Sequence, residues 1–318
     1  MDNLTHSLTG LLMSKAGLDR FHARATLTLV LAANVPDIDI LAITRGQLSY
    51  FQAHRGITHA LVMSPVMALL PVLVALAVSR STRGWLPLWL ISLAGVASHL
   101  LFDWTNAYGI RLLLPFSEQF FRLDLNNLIE LWIWTVFFLA WLAPMLSRLL
   151  SSEMGARGSH GRGWAIFALA FVLVFEAGKA LSHARAIDVL NSRVYQDGPP
   201  VRVAAFPNTL ANPFEWAGWV ERPGFVVHFP SLNVLGDFDP TAGVTISKAE
   251  PGPAIDSART APEIQAFLKF AQFPLWSVAP APEPEGALIV ALRDWRFPFT
   301  AAAIVDGRDR VIASSFHY

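Results

Sequence analysis

Cysteine is absent from the 318-residue sequence, and charged residues make up only 15% of it. The first absence excludes disulfides, thiolate metal sites and a cysteine nucleophile. The second, together with 53% hydrophobic residues and a mean hydropathy of +0.43, indicates a membrane protein, because soluble domains carry about 25% charged residues. The net charge is zero, so the basic surface that nucleic-acid binding requires is missing. Residues 1–6 also lack the basic segment of a secretory signal, so we expect the membrane segments to direct their own insertion.

Long apolar runs occupy the first part of the chain. Residues 60–79, 85–102, 128–146 and 164–181 are predicted to span the membrane. Residues 4–18 and 25–35 are shorter, and we interpret them as a helical hairpin that enters the membrane and returns, with Pro36 ending its second arm. A pair of short full spans is the alternative. The sequence therefore predicts a helical polytopic domain, residues 1–182, of about four spans plus a hairpin.

Basic residues in the short loops predict the orientation of this domain. Eight of them fall on one side of the predicted spans and four on the other. The richer side should be cytoplasmic, which places the remainder of the chain and the histidine- and aspartate-bearing segments described below at the extracytoplasmic face. The first group is Lys15, Arg20, Arg24, Arg80, Arg83, Arg148, Arg157 and Arg162; the second is Arg45, Arg55, Arg111 and Arg122.

Residues 183–318 have the composition of a soluble, mostly-β domain. A helix is predicted from Thr260, with Thr260 as its N-cap and Pro262 in its first turn. Asp306-Gly307 predicts a hairpin turn before a strand at 310–313, and the proline-rich residues 279–284 predict a loop. Short β-branched and aromatic runs predict the other strands at 201–206, 224–229, 243–247, 287–292 and 301–305.

His99 and Asp103 are four residues apart in a predicted membrane helix, so both side chains leave the same face. An imidazole and a carboxylate in this arrangement offer two ligands to a divalent metal ion. Ionisable residues at membrane depth are costly, and they are usually functional or paired. A His–Asp hydrogen bond that joins two helices is the alternative, and the pair alone favours neither interpretation.

Two more segments carry carboxylates. Asp37 and Asp39 follow Pro36, so they can converge from a turn, although a helix cap or a solvated turn is the commoner use of an Asp-x-Asp pair. Asp2 and His6 are four residues apart at the start of the first helix. His6 is a candidate ligand, with Asp2 as a partner that fixes its tautomer.

A fourth segment is the loop from His54 to His59. Gly56 should allow the backbone to bend so that both histidines approach one centre. Arg55 suits an anionic substrate, because a guanidinium group offers two parallel donors to phosphate. An interfacial loop whose arginine meets lipid headgroups is the alternative.

A shared cation explains all four segments together, because each ionisable group would be expensive by itself in an apolar environment. Such an ion can lower the pKa of a bound water and supply a nucleophile. The sequence leaves two alternatives open: a cation-transport pathway, and a non-catalytic protein in which the cluster binds a structural metal.

The order of these motifs resembles that of the YdjM-type family of bacterial inner-membrane proteins, described as membrane-bound metal-dependent hydrolases. Ala60 departs from the pattern, which usually has serine after the second histidine. The resemblance implies a metal-dependent hydrolase in the bacterial cytoplasmic membrane. The motifs are Asp2-x-x-Thr5-His6, Pro36-Asp37-Ile38-Asp39, His54-Arg55-Gly56-Ile57-Thr58-His59 and His99-x-x-x-Asp103 with Tyr108-Gly109.

A looser resemblance, to zinc-dependent phospholipase C and single-strand nucleases, implies zinc, one or two ions, and cleavage of a phosphoester in a lipid-like substrate. By that resemblance Asp103 is able to bridge metal ions, Arg55 neutralises phosphate, and Asp39 is an additional ligand or a partner of one. We also predict that Asp39 or Asp37 serves as general base where it is not bound to metal. The implied metal ligands are His6, Asp37, His54, His59, His99 and Asp103.

Overall fold

The computed structural model describes residues 1–153, 161–196 and 198–317, with only the backbone at residues 148 and 150–153. The predicted fold class is confirmed: a helical region with apolar spans precedes a domain of two antiparallel sheets. Arg157, one of the basic residues used to predict the orientation, lies outside the described residues, as does the side chain of Arg148.

The helical region contains eight α-helices in its described part, joined by short loops and 3₁₀ turns. Its 3₁₀ segments are Leu18–Arg20, Val35–Arg45, Ile57–His59 and Leu61–Met63. The α-helices are α1 (Asn3–Lys15), α2 (Ala25–Ala32), α3 (Gln47–Ala53), α4 (Ser64–Met67), α5 (Leu69–Ser79), α6 (Trp85–Thr105), α7 (Leu131–Glu153) and α8 (Arg162–Asn191).

Three segments of the described chain are long and apolar enough to cross a membrane: Leu61–Ser79, α6 and α8. A fourth candidate is α2 together with Val35–Arg45, which are bent by 44° relative to each other. The apolar part of α7, Leu131–Ser147, is shorter than these three. The total of three to four spans agrees with the prediction, although the fourth candidate comes from the hairpin rather than from residues 128–146.

The second arm of the predicted hairpin ends earlier than Pro36. Helix α2 stops at Ala32, and Pro36 is the second residue of the following 3₁₀ segment. Proline is tolerated there because an N–H in the first turn has no partner within the helix. The proline therefore starts the segment that carries Asp37 and Asp39 instead of ending the one before it.

Glycines allow α1, α2 and α6 to pack closely. A Cβ atom at Gly10 of α1 would lie 2.6 Å from the carbonyl oxygen of Leu29 in α2. A Cβ atom at Gly95 of α6 would lie 2.7 Å from Cβ of Ala32. Such small residues are the usual means of close approach between membrane helices. This packing brings the start of α1 and the end of α6, which carry His6 and His99, to the same level.

The C-terminal domain consists of two four-stranded antiparallel sheets with two helices. Both sheets have their strands in sequence order, β1-β2-β3-β4 and β5-β6-β7-β8. The helices are α9 (Pro253–Ala258) and α10 (Pro262–Phe270). The strands are β1 (Arg202–Pro207), β2 (Glu215–Arg222), β3 (Phe225–Asn233), β4 (Val244–Ser247), β5 (Pro274–Pro280), β6 (Leu288–Asp294), β7 (Thr300–Val305) and β8 (Val311–His317).

Most predicted strands match, with local differences. The hairpin at Asp306 is confirmed, since the Asp306 backbone N–H donates to the carbonyl of Arg310 at 2.9 Å. Strands β2 and β5 were not predicted, and the end of β5 overlaps the predicted loop at 279–284. Ala261, and not Thr260, is the N-cap of α10.

The C-terminal domain packs on the end of the helical region that carries Asp103. The last turns of α8 contribute Ala186 and Leu190 to the core of the first sheet. Phe51 and Tyr108 enter the core between α10 and the second sheet, with the rings of Phe51 and Phe270 5.3 Å apart. Helix α8 continues to Asn191, so the division of the chain at residues 182 and 183 stays a prediction.

The opposite end of the bundle collects basic loops. Arg162 Nε donates to the carbonyl of Ala16 at 3.0 Å, and the ring of His22 lies against Gly84. The loops before α2, α6 and α8 therefore meet at one end, and the C-terminal domain covers the other.

Candidate metal centre

Asp37, His59, His99 and Asp103 converge at the covered end of the bundle. Each offers one ligand atom, and the four atoms lie within 4.8 Å of one another. They come from the 3₁₀ segment after α2, the turn at Ile57–His59 and the last turns of α6. His59, His99 and Asp103 are buried, while Asp37 is partly exposed.

The separations between these atoms match a tetrahedral metal site. The Nε2 atoms of His59 and His99 are 3.1 Å apart. Oδ2 of Asp103 lies 3.4 Å from each of them, and Oδ1 of Asp37 lies 3.6 Å from each. Bonds of about 2.0–2.2 Å from zinc to nitrogen or oxygen give tetrahedron edges of roughly 3.3–3.6 Å. The residues present therefore fit a single divalent ion.

A hydrogen bond sets the tautomer of His99, and polar groups also lie next to Nδ1 of His59. Nδ1–H of His99 donates to the carbonyl of Ala33 at 2.8 Å, which leaves the Nε2 lone pair facing the cluster. Nδ1 of His59 lies 3.1 Å from the Thr58 hydroxyl and 3.5 Å from Oδ2 of Asp39. Partners of this kind orient metal-binding imidazoles and increase their basicity.

Asp39 and His54 lie beside the cluster and form a second group with Asp37, again within 4.8 Å. Oδ1 of Asp39 is 3.1 Å from Nδ1 of His54, and its Oδ2 accepts from the backbone N–H of Arg55 at 2.8 Å. Burial lowers the pKa of His54, and the hydrogen bond with Asp39 offsets this only in part. A neutral imidazole is the form that binds a metal ion. The role of Asp39 as general base stays a prediction.

The buried side chain of Arg55 joins the cluster to the loop after α6. Nη2 donates to Oδ1 of Asp103 at 3.0 Å, and Nη1 donates to Oδ1 of Asn106 at 3.2 Å. Its buried Nε has no hydrogen-bond partner among the described residues. Oδ1 of Asp103 is also contacted by the amino group of Met1. The residue common to both ligand groups is Asp37, and a bridging role for Asp103 stays a prediction.

The loop bends at Arg55 instead of Gly56. Arg55 has a φ of 53°, in the left-handed region that most side chains avoid. Gly56 has a φ of −96°, but a Cβ there would lie 2.6 Å from the carbonyl of Ala53 and 2.7 Å from Nη2 of Arg111. Glycine is therefore required for close packing, and Arg55 bears the backbone strain, as residues of functional sites often do.

His6 reaches the cluster without joining the four-atom group. Its ring stacks on that of His99 with centroids 3.9 Å apart, and Nε2 lies 3.5 Å from Oδ1 of Asp103. Neither ring nitrogen has a hydrogen-bond partner in the described part of the chain. Asp2 does not serve as its partner; it caps α1 through the N–H groups of Leu4 and Thr5, both at 3.0 Å.

A family model described as YdjM inner membrane protein matches residues 1–186, which include every residue of the two ligand groups. The chain belongs to this family. It is also 31% identical over 137 residues to the uncharacterized protein YfhP of Bacillus subtilis, across 40% of this chain and 41% of that protein. The chain thus matches less than half the length of this relative. No solved structure gives a significant match.

Several polar residues that support the site were not identified from the sequence. Asn106 accepts from Arg55 and donates to the carbonyl of Asn126 at 3.1 Å. Asn126 in turn donates to Glu176 of α8 at 2.6 Å. Asn3 donates to Oδ2 of Asp37 at 3.3 Å. Two of these residues could have been found from their spacing. Asn106 is three residues after Asp103, and Asn3 is three residues before His6.

A cleft of about 530 Å³ lies between the helical region and the C-terminal domain, next to Arg55 and His54. Trp219 and Trp295 form part of its wall, together with four asparagine side chains. Its described lining contains arginine and histidine but no carboxylate. An anionic polar group would therefore be favoured in this cleft over a cationic one.

Proposed function

We propose that this membrane protein is a metal-dependent hydrolase that cleaves an ester, in particular a phosphoester, of a lipid-like substrate. The observation that carries the proposal is the pair of ligand groups that share Asp37, one of which brings two imidazoles together, next to a cleft that Arg55 lines. Ionisable residues that are buried within a membrane protein are usually functional.

Asp37, His59, His99 and Asp103 would hold the ion, and the mixture of imidazole and carboxylate suits zinc. When bound, such an ion supplies a Lewis acid and a hydroxide nucleophile at neutral pH. Asp37, Asp39 and His54 would hold a second ion, with Asp37 as the shared carboxylate. Two ions of this kind are common in enzymes that cleave phosphoesters.

The neighbouring residues would bind the substrate and orient the ligands. Arg55 lines the cleft and would neutralise a phosphate oxygen of the substrate. Asp39 holds the loop through Arg55 N–H and orients His59, and it is the candidate general base where it is not bound to metal. The ring of His6 stacks on that of His99 and would help to hold it in place.

We also propose that the C-terminal domain is extracytoplasmic. Membership of an inner membrane protein family supports the membrane location. The loops near Ala16, Gly84 and Arg162, which are rich in basic residues, meet at the end of the bundle away from that domain. Basic loops remain in the cytoplasm, so the metal centre would face the other side.

A second candidate function is a metal site with a structural role. Four protein ligands alone complete a tetrahedron, and closed sites of this kind are usually structural, whereas catalytic sites keep one position open. Transport is less favoured, because transport sites lie near the bilayer midplane, while His99 and Asp103 are near the end of α6.

Hydrolysis by purified protein in detergent separates these functions. The substrates are bis(4-nitrophenyl) phosphate and 4-nitrophenyl phosphate, assayed after chelation and again after addition of zinc. We expect zinc-restored hydrolysis in wild type and in His22→Ala, whose histidine lies at the opposite end of the bundle, and none in His99→Ala. Zinc binding with no hydrolysis of either substrate would favour the structural role.

A further inference from the structure

An apolar groove runs along the outside of the helical region between α2 and α5. We call it the lateral groove. It has a volume of about 560 Å³, within the range of ligand sites in proteins. Its walls are formed mainly by Leu31 of α2 and by Leu70, Leu73 and Val74 of α5, and Asp37 and Asn3 also line it.

The lateral groove faces the hydrocarbon of the membrane. Helix α5 belongs to the apolar span Leu61–Ser79. Leu73 and Val74 are among the exposed large hydrophobic residues of this span. A groove with such walls offers few partners for a polar molecule, and in a bilayer its occupant is a hydrocarbon chain.

One polar residue of the groove, Asp37, belongs to the metal centre, whereas Asn34, which also lines the groove, donates to the Ser7 hydroxyl and to the carbonyl of Val30. Among the four cluster residues, the side chain of Asp37 is 19% exposed, whereas those of His59, His99 and Asp103 are at most 1% exposed. The exposed part of the cluster therefore opens into the lateral groove. Asn3, which donates to Asp37, lines the groove as well.

The cluster also contacts the polar cleft, through the hydrogen bond from Arg55 to Asp103. One carboxylate of the metal centre thus borders an apolar groove, and another is joined to a cleft without carboxylates. A molecule with a hydrocarbon chain and an anionic head group matches both environments. Neither environment alone would select such a molecule, but the two together would.

We propose that the lateral groove binds the hydrocarbon chain of a phosphate-bearing membrane lipid and presents its head group to the metal centre at Asp37. This rests on the proposed function for the reaction, but the binding itself does not require hydrolysis. The lipid enters from the bilayer, between α2 and α5. The chain length of a substrate would then determine its affinity, because each buried methylene adds favourable transfer energy.

The test compares variants that fill the groove with a matched control on the same helix. Leu73→Trp and Val74→Trp each place an indole in the groove, whereas Val78→Trp places one at an exposed position of α5 outside it. Binding of hexadecyl phosphate to purified protein is measured by native mass spectrometry. We expect affinity to fall about tenfold in both groove variants, the equivalent of losing fewer than two buried methylenes, and to be unchanged in Val78→Trp.

Hydrolysis provides the second measurement. Hexadecyl 4-nitrophenyl phosphate and ethyl 4-nitrophenyl phosphate share a leaving group and differ in chain length. We expect the ratio of their kcat/KM values to favour the hexadecyl ester in wild type and in Val78→Trp, and to fall about tenfold in the groove variants. Equal hexadecyl phosphate affinity in all four proteins would overturn the groove proposal. Groove-dependent binding without hydrolysis of either ester would overturn the proposed function and leave the lipid site standing.

Discussion

Nε2 of His59 and Nε2 of His99 are 3.1 Å apart, although 40 residues separate them in the chain. His99 already donates its Nδ1 proton to the carbonyl of Ala33, so its Nε2 carries a lone pair when the ring is neutral. The Nδ1 atom of His59 has the Thr58 hydroxyl and Asp39 as neighbours. Two buried lone pairs at this distance need a proton or a cation between them.

Removal of His99 or of Asp103, which lies 3.4 Å from both imidazoles, should therefore abolish binding of the metal ion. We expect purified His99→Ala and Asp103→Ala to contain less than about a tenth of the zinc of wild type, because a divalent ion loses one of four ligands at a buried site. Metal content is measured by inductively coupled plasma mass spectrometry after dialysis against a weak chelator. His22→Ala is the control and should retain the wild-type content. Retention of zinc in both cluster variants would remove the metal assignment.

The stability that the buried pair of Arg55 and Asp103 contributes should depend on whether metal is bound. Both side chains are at most 4% exposed, so Arg55→Met should cost up to about 3–5 kcal/mol of stability in chelated protein, because it leaves the buried carboxylate with the Met1 amino group but without the guanidinium. A bound divalent ion neutralises Asp103 in place of the guanidinium. The loss of thermal stability should accordingly be smaller with zinc than with chelator.

Scanning fluorimetry in detergent measures this difference in Tm. The exposed residue Arg308 offers a control, and Arg308→Met should leave the Tm unchanged under both conditions. An equal decrease of Tm in Arg55→Met with and without zinc would show that the ion does not act on Asp103.

The sequence predicted features that depend on local spacing, length or turn residues. His99 and Asp103 point into one site because their spacing is one helical turn. The apolar runs predicted the membrane spans because a bilayer demands a minimum length. The short run at 301–305, which ends in the β-branched residues Ile304 and Val305, and the Asp-Gly turn after it predicted a hairpin that the structure confirms.

Features that depend on distant contacts could not be predicted. The bend at Arg55 is stabilised by Asp39, Asp103 and Asn106, which lie 16, 48 and 51 residues away. No local pattern assigns a left-handed conformation to an arginine when glycine follows it. Strand β2 was missed because its aromatic residues flank Gly218, whose packing against Leu190 of α8 becomes visible only in the folded chain.

Asp124 should make stability depend on pH. Burial raises the pKa of this carboxyl above its ordinary value, and the hydrogen bond from Gln272 at 3.1 Å opposes the shift only in part. The folded protein therefore binds this proton more tightly than the unfolded chain. The stabilisation is complete below the ordinary pKa of about 3.9 and is lost as the pH rises through the raised pKa.

Asp124→Asn should remove this dependence. Asparagine resembles the protonated acid and tolerates the left-handed φ of 56° at this position. We expect the variant to have a higher Tm than wild type at pH 7 and the same Tm near pH 4, as measured by scanning fluorimetry across that range. A Tm difference that stays constant with pH would contradict the assignment.

Glu130 and Lys179 join the start of α7 to the middle of α8 by a buried ion pair at 3.0 Å, in which both side chains are at most 3% exposed. Lys179→Met should lower the free energy of unfolding by about 3–5 kcal/mol, because it leaves Glu130 buried without its partner. The control is Lys248→Met, which breaks a more exposed pair with Glu221 and should cost at most about 1 kcal/mol. Adding Glu130→Gln to Lys179→Met should restore most of the loss, since the uncompensated charge is gone. Both free energies are measured by chemical denaturation in detergent, and equal costs for the two lysines would show that burial does not strengthen the inner pair.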